Sequence, residues 1–365
     1  MKISEKVVRR LWFGYLARHG FNSYMINYYG NHVLDDIFRN KENIPFKKRM
    51  WALKRGFCVD KINMYKLTED NYKDYLSDYD YYRIFPLNNR YAMWINDKLT
   101  MKYTLYKYNE FLPDYYANVD TDGTYTYLMD YSEKNSKNID GIIELLKKKG
   151  KLAVKKVAGA AGEGFYELSY YNNEFSVNKE PYSKEELKKF LQELRGYLFT
   201  EYIEQHEIYK KIWGKSIHTL RVQTVREKDR PIECLYSYIR WGSKNLMNCV
   251  GDVGPGVTAV VNKETGEIAK GFYQNENREW IDCKEHPDTG VDITGEVPHW
   301  EYILEKCMEM HEYMNELEYM GFDVIVTDNS FKICEINSHS GIRAVQYEYP
   351  LLKDERCAEY FKKYL

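Results

Sequence analysis

Two apolar runs near the C-terminal end, Phe322–Val326 and Phe331–Ile336, constrain the fold of this chain most tightly, because only the polar turn Thr327-Asp328-Asn329-Ser330 separates them. Runs of that length and spacing predict a β-hairpin. Glu335 and Asn337 lie two apart and so share one face of the second strand. Glu335 also sits between Cys334 and Ile336, where a carboxylate without a partner would be costly to bury. Whether Asp323 joins them depends on register. A two-residue loop at Asp328-Asn329 sets Asp323 opposite Cys334 and turns it away. An odd-length loop centred on Asn329 sets it opposite Glu335 and converges three oxygen donors. The odd loop is the expectation. Three hard oxygen donors with no His or Cys suit Mg²⁺; the alternative is a surface hairpin with solvated acids.

Upstream, helical and extended patterns alternate. Residues 1–82 read as helical: Val7, Val8, Leu11, Trp12 and Tyr15 recur at helical spacing, as do Met50, Leu53 and Phe57. Arg83 to Leu87 reads as a short strand, and residues 97–110 return to helical spacing before Pro113. Ile139 to Lys149 predicts an amphipathic helix ended by Gly150, and Leu152 to Val157 a strand. Ser183-Lys184-Glu185-Glu186 is a capping box opening a helix to Leu194, and Leu198 to Ile203 is a further strand. Strands are expected over Ser216–Thr224 and Ile232–Arg240. A helix is expected from Trp300 to Tyr319, with Ile303, Cys307, Met310, Met314 and Leu317 on one stripe. Such interleaving predicts an α+β fold, divided into a helical region 1–82, a smaller lobe 83–203 and a larger lobe 204–365.

The strand ending at Val157 delivers Lys155 and then a loop with Gly159, Gly162 and Gly164. Such a loop exposes several main-chain N–H groups to which phosphate oxygens can come close, and Lys155 adds a point charge beside them. The glycine order fits neither a dinucleotide fold nor a P-loop. Phosphate binding and a tight hairpin remain equally open on the loop alone.

Composition removes other classes. The formal net charge is only −2, so no global field favours nucleic acid. The 36 tyrosines are not accompanied by the basic patch that single-strand binding needs. No apolar run approaches the roughly 20 residues of a membrane span, and no signal peptide is read after Met1. The seven cysteines are scattered without any Cys-x-x-Cys, which predicts reduced thiols, a cytoplasmic location and no structural zinc site.

The order Lys98, Lys155 with its glycine loop, Thr200-Glu201-Tyr202-Ile203, Arg221, Asp323 and Glu335-x-Asn337 resembles the ATP-grasp superfamily. Asn96-Asp97-Lys98 before a helix, Glu201 with His206, His218-Thr219-Leu220-Arg221 and Glu335-Ile336-Asn337-Ser338 are most similar to its sugar-transfer-associated branch. The resemblance implies an ATP-grasp fold of two α/β lobes gripping ATP, with ATP and Mg²⁺ as cofactors. It implies Lys98, Lys155, Gly159, Gly162 and Gly164 at the phosphates. Glu201, Tyr202 and Ile203 would lie at adenine, with His206 or Glu207 at the ribose. Arg221 would touch phosphate or the acyl-phosphate intermediate, and Asp323, Glu335 and Asn337 would hold the metal. Lys156 stands where many members have proline, and His218 where the branch often has asparagine. His339 and Arg343, directly after the hairpin, are candidate substrate contacts along with His218. His206, His299 and His311 are further acid–base candidates.

The chemistry implied is ATP-dependent joining of a carboxylate to an amine, on a small or sugar-linked substrate of polysaccharide or cell-surface sugar biosynthesis. Alternatives are a kinase acting on a sugar hydroxyl and a nucleotide-binding protein without turnover. The sequence is silent on oligomeric state.

Overall fold

Local signals account for most elements of the computed structural model, which describes residues 3–39, 43–132, 138–157, 164–244 and 256–365. The chain divides into two units: residues 1–92 with 274–281 and 338–365, and residues 93–273 with 282–337. In this division the C-terminal segment goes with the N-terminal helices, and the sheets fall in the other unit.

In the first unit, helix α1 (Ile3–Arg18) turns at Gly20, whose φ of 86° suits glycine, into α2 (Ser23–Phe38). Asn22 caps α2 by accepting from the Tyr24 N–H at 2.8 Å. Leu16, Phe21, Met25, Tyr29, Val33 and Cys58 are buried together, which brings α3 (Phe46–Leu53) and α4 (Asp60–Met64) against them. Val7 and Leu11, at 54% and 70% exposure, are turned away from that core. The expected strand over Arg83–Leu87 does not form. Ser77 instead accepts from Asp80 N–H at 3.1 Å and starts helix α5 (Asp78–Arg83), which carries the chain helically as far as Arg83. The C-terminal segment is stitched in by Gln346, whose side chain accepts from the Leu76 N–H at 2.7 Å and donates to the Leu76 carbonyl at 3.0 Å. Arg343 binds Asp60 at 3.2 Å.

The second unit holds two large antiparallel sheets and a two-stranded one. The first comprises β1 (Tyr115–Val119), β2 (Tyr125–Tyr127), β3 (Lys151–Lys156), β4 (Tyr166–Tyr171), β5 (Glu174–Val177), β6 (Glu180–Tyr182) and β7 (Tyr197–Glu201), in the order β2-β1-β7-β3-β4-β5-β6. Ahead of it lies α6 (Lys98–Thr104), capped by Asp97 on the Thr100 N–H. Helices α7 (Ile139–Lys149) and α8 (Lys184–Glu193) run where expected, and the Ser183–Glu186 capping box is formed in both directions. Leu152 and Val154 of β3 pack in the same buried cluster as Ile142, Leu146, Leu187 and Leu191. Strand alternation therefore sends Lys155 to the opposite face.

After α9 (Glu207–Ile212), the second sheet includes β8 (Thr219–Val225), β9 (Glu233–Trp241), β10 (Val257–Val261), β11 (Gly271–Gln274), β12 (Tyr319–Val326) and β13 (Phe331–Asn337). These run in the order β11-β10-β9-β8-β12-β13. Helix α10 (Trp300–Tyr313) buries Ile303, Cys307 and Met310 as expected but stops six residues early. Met314 and Leu317 are still buried, now in a turn that reverses the chain into β12.

The cysteines at 58, 234, 283, 307, 334 and 357 are free thiols, and Cys249 lies outside the described residues. Among the described residues no helix is long and apolar enough to cross a membrane. The Ser183 cap is open to direct test. Ser183→Ala should lower unfolding stability by about 1 kcal/mol, while Ser183→Asp should retain most of it, as read by urea denaturation.

Candidate active site

The hairpin of β12 and β13 carries the acids, and its register decides what they can do. Val326 pairs with Phe331, Ile325 with Lys332 and Val324 with Ile333, so the turn is the even one centred between Asp328 and Asn329. Thr327 closes it, its N–H donating to the Ser330 carbonyl at 2.9 Å and its hydroxyl accepting from the Ser330 N–H at 3.2 Å. The expected odd loop is thus not used. The pairing it was meant to deliver is nevertheless present, because Cys334 is bulged out and Asp323 pairs with Glu335 and Gly321 with Asn337. One extra residue on β13 flips the faces back into phase.

Asp323 is buried and its carboxylate is crowded by donors. Arg221 of β8 donates from Nε to Oδ1 at 2.7 Å and from Nη2 to Oδ2 at 3.0 Å, a bidentate pair. Arg240 of β9 donates from Nη2 to Oδ1 at 2.9 Å and also to Thr219 Oγ1 at 2.8 Å. Asn337 Nδ2 donates to Oδ2 at 3.2 Å. Burial alone would raise this carboxyl, but Arg221 and then Arg240 hold it below its ordinary value. Glu335, partly exposed, faces Lys98 Nζ of α6 at 3.4 Å.

Lys155 arrives from the first sheet. Its Nζ donates to the carbonyl of the bulged Cys334 at 3.4 Å and sits 5.4 Å from the centre of the Tyr115 ring. Burial pushes its pKa down to about 8, with Lys98 adding to the effect. Lys155 and Glu335 therefore belong to one cluster, in which four cations (Lys98, Lys155, Arg221, Arg240) stand against two carboxylates (Asp323, Glu335). The excess of positive charge suits a polyanion. For a cation, Glu335 and the Asn337 carbonyl oxygen are hard donors that fit Mg²⁺. Asp323 has about four lone-pair sites, and its four donors use them, so it can join a metal only by giving up one of those bonds.

The other predicted residues divide. Glu201 ends β7, and its Oε2 accepts from the Asp114 N–H at 3.2 Å. Tyr202 and Ile203 leave the ladder, with their main-chain groups outside the sheet. His206 caps α9, accepting from the Ile208 N–H, and Glu207 N–H donates to Asp328 Oδ1 at 2.8 Å, tying this segment to the hairpin turn. Gly164 has φ 70°, and a Cβ there would lie 2.7 Å from Tyr197 Oη, so glycine is required. Gly159 and Gly162 lie outside the described residues. His218 is buried: Nε2–H donates to the Tyr209 carbonyl at 3.0 Å, Nδ1 accepts from the Gly242 N–H at 3.4 Å, and burial lowers its pKa to about 4. His311 is likewise buried between the Thr224 hydroxyl and the Leu317 carbonyl. His339 and Arg343 belong to the first unit. There His339 stacks on Tyr81 at 4.1 Å, and Arg343 is held by Asp60.

A family model described as sugar-transfer associated ATP-grasp matches residues 78–353. The chain belongs to this family. No curated protein matches it. Solved structures similar to it include carboxyaminoimidazole ribonucleotide synthase from Aspergillus clavatus (13% identity, 67% of this chain, 44% of that one, TM-score 0.35). Others are the L-amino acid ligase of Bacillus licheniformis (10%, 73% and 45%, 0.37) and D-alanyl-alanine synthetase A of Vibrio cholerae (10%, 76% and 67%, 0.41). The chain spans under half the length of the first two. Likenesses this distant carry no argument, and the assignment rests on the family match.

Within this ATP-grasp chain, three cluster residues were not anticipated from sequence. Arg240 is the charge inside Tyr238-Ile239-Arg240-Trp241, an apolar strand, which is the signal that singled out Glu335. Lys332, between Phe331 and Ile333, reaches the Leu112 carbonyl at 3.0 Å and Glu201 at 3.7 Å. Lys102, one turn after Lys98, is wholly buried against Asp130 at 2.8 Å and the Pro113 carbonyl at 2.7 Å. Replacing Asp323 by Asn would leave Arg221 and Arg240 buried without a counter-charge. The expected loss is about 3–5 kcal/mol of stability by chemical denaturation, and a change of a few tenths would show that the guanidiniums do not depend on it.

Proposed function

We propose that this chain is an ATP- and Mg²⁺-dependent ligase that activates a carboxylate as an acyl phosphate for attack by an amine, acting on a sugar-containing cell-surface precursor. The observation that carries the reading is the cluster in which Lys155 of one sheet meets the acid-bearing hairpin of the other with positive charge in excess. The sugar-linked substrate is suggested by the family description.

In this reading Lys155 and Lys98 hold the phosphates, joined by the glycine loop of 159, 162 and 164. The main chain of Glu201 at the end of β7, and of Tyr202 and Ile203 beyond the ladder, receives adenine, and His206 or Glu207 lies by the ribose. Glu335 and Asn337 hold Mg²⁺, with Asp323 able to join by releasing its Asn337 bond. The ion neutralises charge on the phosphates when bound. Arg221 and Arg240, preorganised by Asp323, face the phosphoryl group in transfer. Such transfer needs mainly positioning and charge neutralisation, so no side-chain nucleophile is required. The carboxylate oxygen takes the γ-phosphoryl group and ADP leaves. The amine then attacks the acyl carbon, phosphate departs, and a proton is lost from nitrogen.

Three measurements test this. With ATP, Mg²⁺ and candidate carboxylates, hydroxylamine should trap the acyl phosphate as a hydroxamate while ADP and free phosphate accumulate. A phosphorylated acceptor with no free phosphate would instead establish a kinase. Lys155→Ala should lower turnover by roughly 10²–10³-fold, in line with loss of one preorganised donor.

The third is a pH profile. Free Lys155 titrates at about 8, and a bound phosphate raises that value. Nucleotide affinity should therefore be full below about pH 8 and fall as pH rises through it. Lys155→Arg, charged throughout, should flatten the profile measured by calorimetry. An unchanged decline in that variant would show that another group is responsible.

A further inference from the structure

Away from the nucleotide cluster, and before the span the family model matches, three potential metal ligands meet in the first unit. His32 and Asp36 lie four apart on α2, so one stands above the other on a single helix face. Cys58, in the turn between α3 and α4, is brought to the same place. The imidazole nitrogen, carboxylate oxygen and Cys58 Sγ all lie within 4.8 Å of one another. His32 is exposed, Asp36 half-buried and Cys58 buried, so the donors run from the surface inward.

The main chain around them is fixed. Asp36 Oδ2 accepts from the Val59 N–H at 2.8 Å, which orients that carboxylate, and Asp78 Oδ2 accepts from the Cys58 N–H at 2.8 Å. Neighbouring charges are already balanced: Lys61 pairs with Asp60 at 2.9 Å and Asp78 at 3.4 Å, and Arg343 pairs with Asp60 at 3.2 Å. Among the described residues, Asp36 is the carboxylate of this group to which no lysine or arginine side chain is bonded.

We propose that His32, Asp36 and Cys58 form a zinc-type site that clamps α2 to the α3–α4 turn. Nitrogen, oxygen and sulfur together favour a borderline-soft divalent ion over Mg²⁺ or Ca²⁺, and three protein ligands leave a fourth position for water. Bonds of about 2.0–2.3 Å place tetrahedral donors roughly 3.3–3.8 Å apart. The present spacing closes to that with about 1 Å of side-chain movement. It runs against the expectation from sequence of no structural zinc site, which rested on the absence of any Cys-x-x-Cys pattern. The site is independent of the proposed ligase chemistry.

The test uses the full chain, free of any histidine tag, with Co²⁺ as the optical probe and Zn²⁺ as competitor. One equivalent of Co²⁺ should give thiolate-to-metal charge transfer and tetrahedral visible bands, Zn²⁺ should displace it, and Zn²⁺ should raise the melting temperature. His32→Ala, an exposed change that leaves the core intact, should weaken Co²⁺ binding by at least about tenfold. Cys58→Ser should abolish the charge-transfer band. No thiolate band in the wild type, or one unchanged in either variant, overturns the proposal.

Discussion

The carboxylate of Asp323, buried between the guanidinium groups of Arg221 and Arg240, is the interaction on which the second sheet depends. Three neighbouring strands contribute to it: Asp323 stands opposite Arg221 in the ladder, and Arg240 lies opposite Thr219, to whose hydroxyl it also bonds. A one-residue slip of any of these strands would turn a charged side chain to the other face. A charge so displaced would be buried without its partner, at a cost of several kcal/mol. The ion cluster thus fixes register as well as charge. Its own stability has a pH sign. Since the Asp323 carboxyl is held below its ordinary value, its contribution is complete above about pH 4 and is lost as pH falls through the lower native value.

The bulge at Cys334 solves a second problem with the same residues. An even turn leaves Asp323 out of phase with Glu335, and a longer turn would have cost the tight Thr327–Ser330 closure. Inserting one residue into β13 keeps the turn and restores the phase. It also frees the Cys334 carbonyl from the regular ladder to accept from Lys155, so the irregularity that aligns the acids receives the lysine of the other sheet. Helix α6 supplies Lys98 to Glu335 from a third direction.

Much of this was legible in the chain because the signals are local. The α7 helix with its Gly150 stop, the Ser183 capping box and the two apolar runs of the hairpin each depend on residues a few positions apart, and each forms as read. What was not legible depends on distant partners. Arg83 to Leu87 has strand-like composition, yet Ser77 caps a helix into it. The α10 stripe continues past Tyr313 in burial but not in helix, since the following residues must reverse into β12. The bulge has no sequence signature, as any residue at 334 could be extruded; the need to pair Asp323 is the only hint, and it is satisfied equally by an odd loop. His339 follows β13 closely in sequence, yet it stacks on Tyr81 of the first unit, a contact that spacing could not foresee.

Burial of Lys155 deserves a physical reason beyond its reach for Cys334. Desolvation lowers its pKa to about 8, and Lys98 beside it acts in the same direction. A protein selected only for stability would have neutralised both lysines, as it did Lys102 with Asp130 and Lys61 with Asp60 and Asp78. Lys98 and Lys155 instead share Glu335, which pairs with Lys98 at 3.4 Å, while Asp323 is engaged by two arginines. Their mutual repulsion weakens as soon as an anion enters. The same low local dielectric that destabilises the empty arrangement strengthens its attraction for phosphate oxygens. In the proposed reading, the cost of holding these charges together is recovered when the phosphates of the nucleotide bind.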